Sequence, residues 1–364
     1  MSVSIFDIAN IFALKGHVSQ IQRWEVGHIN ETFVVQTGLN GRVTRYVMQR
    51  INHHVFQDPS ALMENIVKVT TYLRKRIQEH GGDPDRETLT LVPTRDGRLF
   101  HPCKTGDFWR TYRFIEGTRT YQQVVNLEHL YEAARAIGRF LRLLDAFPAE
   151  ELHITIPDFH HTPKRFHAFI QALDADQHNR AYEARDVIQF ALERADIADT
   201  IIAPLTNGEL PQRVTHNDTK LNNVLIDEAT GKGICVVDLD TVMPGSSLFD
   251  FGDFVRSAAN TGEEDDIHLD RVGLDLDRFR TITKGYLQET ADTLTQQERA
   301  LLHESPRILT YELGLRFLTD YLNGDVYFRI HRPRHNLDRA RAQFKLVEDI
   351  EQKTGEMNRI VGSA

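Results

Sequence analysis

The chain has 364 residues, 41% of them hydrophobic and 26% charged, which is enough to bury a full core and to divide into two lobes. A net charge of −9 argues against nucleic acid as the main partner, because gripping a phosphate backbone needs a basic face. With only Cys103 and Cys235, no disulfide framework is expected, and a reducing interior fits. The first residues lack the basic start, apolar core and cleavage site of a signal peptide, and no apolar run approaches bilayer length. The expected location is therefore the cytoplasm, with no membrane partner.

Ile5–Leu14 carries apolar residues at helical spacing and stops at Lys15-Gly16. Two strand-like runs, Val18–Glu25 and Glu31–Thr37, flank a turn holding Gly27, His28 and Asn30. Such a turn can lay backbone N–H groups over phosphates, although an ordinary hairpin has the same look. Arg45–Ile51 reads as a third strand. A kinase-like fold places a lysine here to grip the α- and β-phosphates, and this strand offers Gln49 and Arg50 instead. Either Gln49 donates neutral hydrogen bonds, or Arg50 or another cation supplies the charge.

Pro59–Gln78 is an amphipathic helix with Leu62, Ile66, Val69, Leu73 and Ile77 on one stripe. Its Glu64, lacking a strand lysine to pair with, is expected to be solvated. Leu89–Pro93, Leu99–Phe100 and Phe108–Ile115 are expected to complete a small antiparallel sheet. The last of these runs into Glu116-Gly117 and a second lobe, so the backbone at Phe114 and Ile115 is the natural place for an adenine. Leu127–Leu144 and Pro157–Leu173 read as helices, the second with Thr162 as N-cap and Pro163 in its first turn. The pairs His53-His54 and His160-His161 lack partner ligands at metal-binding spacing and are expected to be surface or packing residues.

The most informative stretch is Arg213–Asp240, RVTHNDTKLNNVLIDEATGKGICVVDLD. A loop carries His216, Asn217 and Asp218, with Lys220 two residues and Asn223 five residues after Asp218. A strand, a turn and a second strand then deliver Asp238. This is the layout of a phosphoryl-transfer loop. Asp218 can accept the proton of an acceptor hydroxyl, while Asn223 and Asp238 can hold Mg²⁺ against the phosphates of ATP. An Asn-rich turn with an Asp often only closes an Asx-turn, but here residue types, spacing and hairpin all agree. Asp250-Phe251-Gly252 spells a familiar metal-binding tripeptide, yet it follows a loop and opens a helix. Asp250 is accordingly expected to anchor the catalytic loop. Asp240, on the same side of an extended chain as Asp238, is expected to reach the acceptor. Ser305–Leu322 is a further helix, in which Arg316 and Asp320 sit at ion-pair spacing. The last helix is expected near Asn336–Glu356.

The HNDTKLNNVLID loop together with VVDLDTVMPGSSLFDFGD resembles the aminoglycoside phosphotransferase/choline kinase superfamily. Within it, GHINETFVV, YVMQRIN and LRFLTDYLNGDVYF look like the kinases that phosphorylate N-acetylhexosamines at the anomeric hydroxyl. The likeness runs from about Phe12 to about Ile360. It implies an α+β, two-lobed protein-kinase-like fold, with a nucleotide lobe over 1–116 and a catalytic, sugar-binding lobe over 117–364. It also implies Asp218 as base and Asn223 and Asp238 as Mg²⁺ ligands. Asp240, Arg316, Tyr327 and His28 would contact the acceptor, and Gly27, Asn30, Gln49, Phe114, Ile115 and Lys220 the nucleotide. The implied partners of what would be a monomer are ATP or ADP and a small sugar acceptor, N-acetylglucosamine or N-acetylgalactosamine.

Overall fold

The computed structural model of the protein describes residues 4–24, 29–103 and 106–364. Five strands form an antiparallel sheet: β1 (His17–Trp24), β2 (Glu31–Leu39), β3 (Arg42–Ile51), β4 (His101–Pro102) and β5 (Phe108–Arg113), in the order β1-β2-β3-β5-β4. The tight turn at Asn40-Gly41 joins β2 to β3, and both residues take the left-handed conformation that short hairpins require. Leu89–Pro93 and Leu99–Phe100, expected as strands, reach the sheet only through an isolated bridge between Leu91 and Tyr112. The edge strand falls instead at His101–Pro102, where Pro102 is tolerated because an edge leaves one side unpaired.

The sheet has a different environment on each face. One face packs against the first helix, Ile5–Ile11, in a small core of Ile8, Phe12, Val35, Tyr46, Met48 and Trp109. That helix ends three residues earlier than expected, with Phe12 buried beneath the sheet. The other face opens onto a cleft.

The helix Pro59–Glu79, capped by Asp58, buries its stripe in the main core, which continues through the C-terminal half. Asn65 fastens it there. Its Nδ2 donates to the carbonyls of His153 (2.8 Å) and Val242 (3.1 Å), and its Oδ1 accepts from the His153 N–H (2.8 Å). Glu64, expected to be solvated, meets the His153 ring at 2.7 Å, although both side chains are exposed enough for the pair to contribute little.

Beyond the connection at Glu116, β6 (Thr118–Arg119), β8 (Val224–Asp227) and β9 (Gly233–Val236) form a second small sheet, and β7 (Arg213–Thr215) pairs with β10 (Met243–Gly245). Helices make up most of the rest. Leu127–Leu144 and Ser305–Leu322 have the bounds their periodicity predicts. Leu127–Leu144 crosses the helix Leu276–Thr290 closely: a Cβ on Gly138 would stand 2.7 Å from the Tyr286 carbonyl, and one on Gly285 would stand 2.5 Å from that of Tyr131. The helix Thr162–Ala175 is capped by His161 rather than Thr162, whose hydroxyl is drawn away to Glu312. The terminal helix extends over His335–Ser363. Among the described residues, no helix is long and apolar enough to cross a membrane.

Asn65→Ala is expected to lower the free energy of unfolding by ~2–4 kcal/mol, because it leaves a buried N–H and a buried carbonyl unpartnered. Chemical denaturation of the two proteins checks this.

Candidate active site

A cleft of about 1140 Å³ lies between the five-stranded sheet and the helical part. Asn30, Gln49, Arg110, Phe114 and Ile115 line it from the sheet side, and Asp218, Lys220, Asn223 and Asp238 from the other. Gly27 and His28 lie outside the described residues.

The loop carrying Asp218 is held from several directions. Asp250, fully buried in the first turn of the helix Ser247–Ala258, accepts the backbone N–H groups of His216 (2.9 Å) and Asn217 (2.7 Å). Its own carbonyl accepts the Thr219 hydroxyl at 2.5 Å. Asp250 is thus the anchor that its position at a helix start predicts. Asn217 is left-handed (φ 64°), a costly conformation outside glycine, and its Nδ2 donates to the Thr241 carbonyl at 2.9 Å. Gly245 leaves room for this: a Cβ there would stand 2.7 Å from Asn217 Oδ1. His216 Nε2 donates to the Val237 carbonyl at 2.9 Å, which ties the loop to the segment that presents Asp238.

His160 supplies a further brace that sequence reading missed. It is no surface histidine: its Nδ1 lies 2.8 Å from Glu312 Oε1 and its Nε2 2.8 Å from the Asn217 carbonyl. Both partners are acceptors, so both ring nitrogens must carry protons. Burial alone would lower its pKa, but Glu312 and the carbonyl outweigh that and hold it above the ordinary histidine range. Burial likewise raises Glu312, and His160 with Thr162 more than reverses it. Asp253 and Asp250 also face the imidazolium, and Arg316 faces Glu312.

Asp218 Oδ1 lies 2.6 Å from Lys220 Nζ. Burial pushes the Asp218 carboxyl up, and the ammonium overcomes it, leaving the group below the usual carboxylate range and ionised at neutral pH. Asn223 donates from Nδ2 to the Asp218 carbonyl at 2.8 Å, so its Oδ1 is the atom left for a cation. Asp238 is left-handed (φ 61°) and stands just past β9. Its pKa is pushed up to about 6 by burial and by the neighbouring carboxylates of Asp240 and Asp218. Crowded carboxylates of this kind fit a divalent cation, which would relieve their repulsion. Among the described residues no group of three or more His, Cys, Asp or Glu side chains is placed to hold a metal ion.

The chain past Asp238 is not extended. The left-handed turn leads into a 3-10 segment, Leu239–Thr241, and Asp240 is 3% exposed. Its Oδ1 is 2.5 Å from Arg110 Nη1, and its Oδ2 accepts from Asn30 Nδ2 at 2.6 Å. Both oxygens that were expected to face an acceptor are therefore engaged by the sheet. Arg110 is the second residue that sequence reading missed. It stands directly opposite Gln49 in the β3–β5 register, and Gln49 Oε1 accepts its Nε at 3.0 Å while Gln49 Nε2 donates to Thr32. A buried guanidinium thus stands one strand away, directly opposite Gln49. In the sequence it is one of two arginines on β5, flanked by Trp109 and Thr111 and on the strand face shared with Tyr112.

Phe114 lies between Trp24 and Arg45, with ring centroids 6.0 Å apart on one side and a guanidinium 4.1 Å from its ring on the other. Arg316 and Tyr327 are absent from the cleft lining. Arg316 sits over the rings of Phe159 and Phe328, and Tyr327 is 64% exposed beside Phe328. Arg316 does not pair with Asp320. The Asp320 carboxylate accepts instead from the backbone N–H groups of Val326, Tyr327 and Phe328.

The sequence matches the APH family, described as a phosphotransferase enzyme family, over residues 20–282. This chain belongs to that family. Its fold is shared with an aminoglycoside phosphotransferase from Alicyclobacillus acidocaldarius (13% identity, TM-score 0.59, covering 94% of this chain and 93% of that one). It is also shared with a choline kinase from Cryptosporidium parvum (15%, 0.55, 93% and 90%) and an ethanolamine kinase from Plasmodium vivax (12%, 0.52, 89% and 82%). The protein is accordingly a phosphotransferase with a kinase-like fold.

The His160–Glu312 pair has a defined pH window. A raised histidine stabilises the fold fully below its unfolded pKa and loses that contribution as pH climbs through the folded value. A lowered glutamate contributes above its unfolded pKa and loses that contribution as pH falls through the folded value. The stability gap between wild type and His160→Gln is therefore expected to be wide at about pH 6 and to narrow by about pH 9. Denaturation midpoints at both pH values check the expectation, and an unchanging gap would count against the ion pair.

Proposed function

We propose that this phosphotransferase moves the γ-phosphate of ATP onto the C1 hydroxyl of an N-acetylhexosamine, giving the sugar 1-phosphate. The observation that carries the reading is the chemistry of the cleft wall beyond Asp218. That wall is polar and of mixed charge, with Arg256, Asn260, Thr261, Glu263 and Arg278. Its arginines oppose a polycationic aminoglycoside, and among the described residues it carries no aromatic ring to cage a quaternary ammonium such as choline. Arginine, amide and carboxylate groups suit the hydroxyls of a neutral sugar. The sugar-kinase motifs around Asn30, Gln49, Asp218 and Tyr327 support the same choice.

In this reading Asp218 takes the proton of the anomeric hydroxyl as its oxygen bonds to the γ-phosphorus. The bond to the bridging oxygen breaks at the same centre, and ADP leaves. Lys220 keeps Asp218 ionised beforehand and stands ready to balance charge on the phosphoryl group. Asn223 and Asp238 would hold Mg²⁺, which when bound would neutralise charge on the nucleotide phosphates. Phe114 and Ile115 receive the adenine. Arg110, oriented by Gln49, supplies the cation that kinase-like folds carry on β3, and Asn30 bonds the Asp240 carboxylate with which Arg110 pairs.

ADP release with MgATP is the first assay, run against N-acetylglucosamine, N-acetylgalactosamine, glucose, choline and kanamycin, with phosphorus NMR of the product. An anomeric phosphate from the N-acetyl sugars is expected. A 6-phosphate, or turnover only with the amines, would sink the assignment. Asp218→Asn should lose about 10²–10⁴-fold in turnover while binding nucleotide nearly as before. Near-normal turnover in that variant would remove Asp218 from the role of base.

A further inference from the structure

One buried polar group in the cleft is not accounted for by any of these roles. Gln343, on the terminal helix, is 1% exposed and lines the cleft, and its Oε1 is buried with no hydrogen-bond partner among the described residues. A buried polar atom left unpaired is costly and calls for an explanation, most simply a ligand that completes it.

Its place in the cleft follows from its neighbours. Arg339, one helical turn earlier, reaches toward Glu264 (3.9 Å), and Glu264 in turn faces Arg256 (3.8 Å). Arg256, fixed on Asp253 at 2.7 Å, acts on the charge of both Asp218 and Lys220. Through Arg339, Glu264 and Arg256, Gln343 is thus connected to the part of the cleft that holds Asp218.

We infer that Gln343 is a specificity-determining residue that reads the acetamido group of the acceptor, pairing carboxamide to amide. This inference rests on the proposed sugar-kinase function. A carboxamide presents one acceptor and two donors in one plane, so it matches the N–H and C=O of a secondary amide. A site built to hydrogen-bond such a group discriminates strongly against an analogue that lacks it, because the buried partner is then left unpaired.

The test is kinetic, on the full-length protein, with N-acetylglucosamine and glucose as paired acceptors. Gln343→Leu should raise KM for N-acetylglucosamine at least about tenfold and leave KM for ATP unchanged. It should also reduce the preference for N-acetylglucosamine over glucose, expressed as a ratio of kcat/KM, by a similar factor. Gln343→Met serves as the second variant should leucine compromise folding. A merely structural role would lower activity with both sugars alike and leave their ratio intact. That outcome would overturn the inference while leaving the sugar kinase standing. If the wild-type protein phosphorylates no N-acetylhexosamine, the assigned function fails, and the role of Gln343 fails with it.

Discussion

A single buried carboxylate sets the geometry on which the active site depends. Asp250 accepts two consecutive backbone N–H groups, from His216 and Asn217, and so fixes the direction in which Asp218 leaves the loop. A carboxylate in that position stores two charge-assisted hydrogen bonds away from water, where they are strong. Asn217 can then remain left-handed without local relief, and Gly245 provides the space beside it. His160 reaches the same residue from the opposite side through its carbonyl. The Asp218 carboxylate is thereby held in place by residues behind its loop, which is how preorganisation is built into a loop.

A second constraint joins the sheet to the helical part. Arg110 and Asp240 are buried to 1% and 4% at their side chains, and Asn30 bonds the same carboxylate. Taking such a pair out of water costs about as much as its attraction returns, so it is weak evidence for stability. Its value lies in register. It holds one guanidinium over a cleft that already contains Asp218, Lys220 and Asp238, and it keeps the charges around Asp238 from being wholly acidic.

The sequence made the Arg213–Asp240 segment legible because its features are local: Asp218, Lys220 and Asn223 precede one hairpin and Asp238 follows it, so spacing specifies geometry. Asp250 was legible for the same reason, since a helix start is a local feature. The helices Leu127–Leu144 and Ser305–Leu322 could be bounded by periodicity because their stripes pack continuously. His160, Arg110 and Gln343 were not legible as site residues. Each acquires its role from an element distant in the chain, and a histidine beside a histidine, or one arginine in a strand, looks ordinary until register is known. Asp240 was misplaced because alternation along a strand was carried past its end. The left-handed Asp238 reorients everything after it.

The fastening of the helix Pro59–Glu79 has a consequence for what can move. Its apolar stripe lies in the main core and Asn65 bolts it to the backbone of His153 and Val242. The sheet and the first helix have a small core of their own. This helix is therefore mechanically part of the helical half, and the sheet is held to the same half by Ile51 and Tyr112 in the main core and by Arg110 on Asp240.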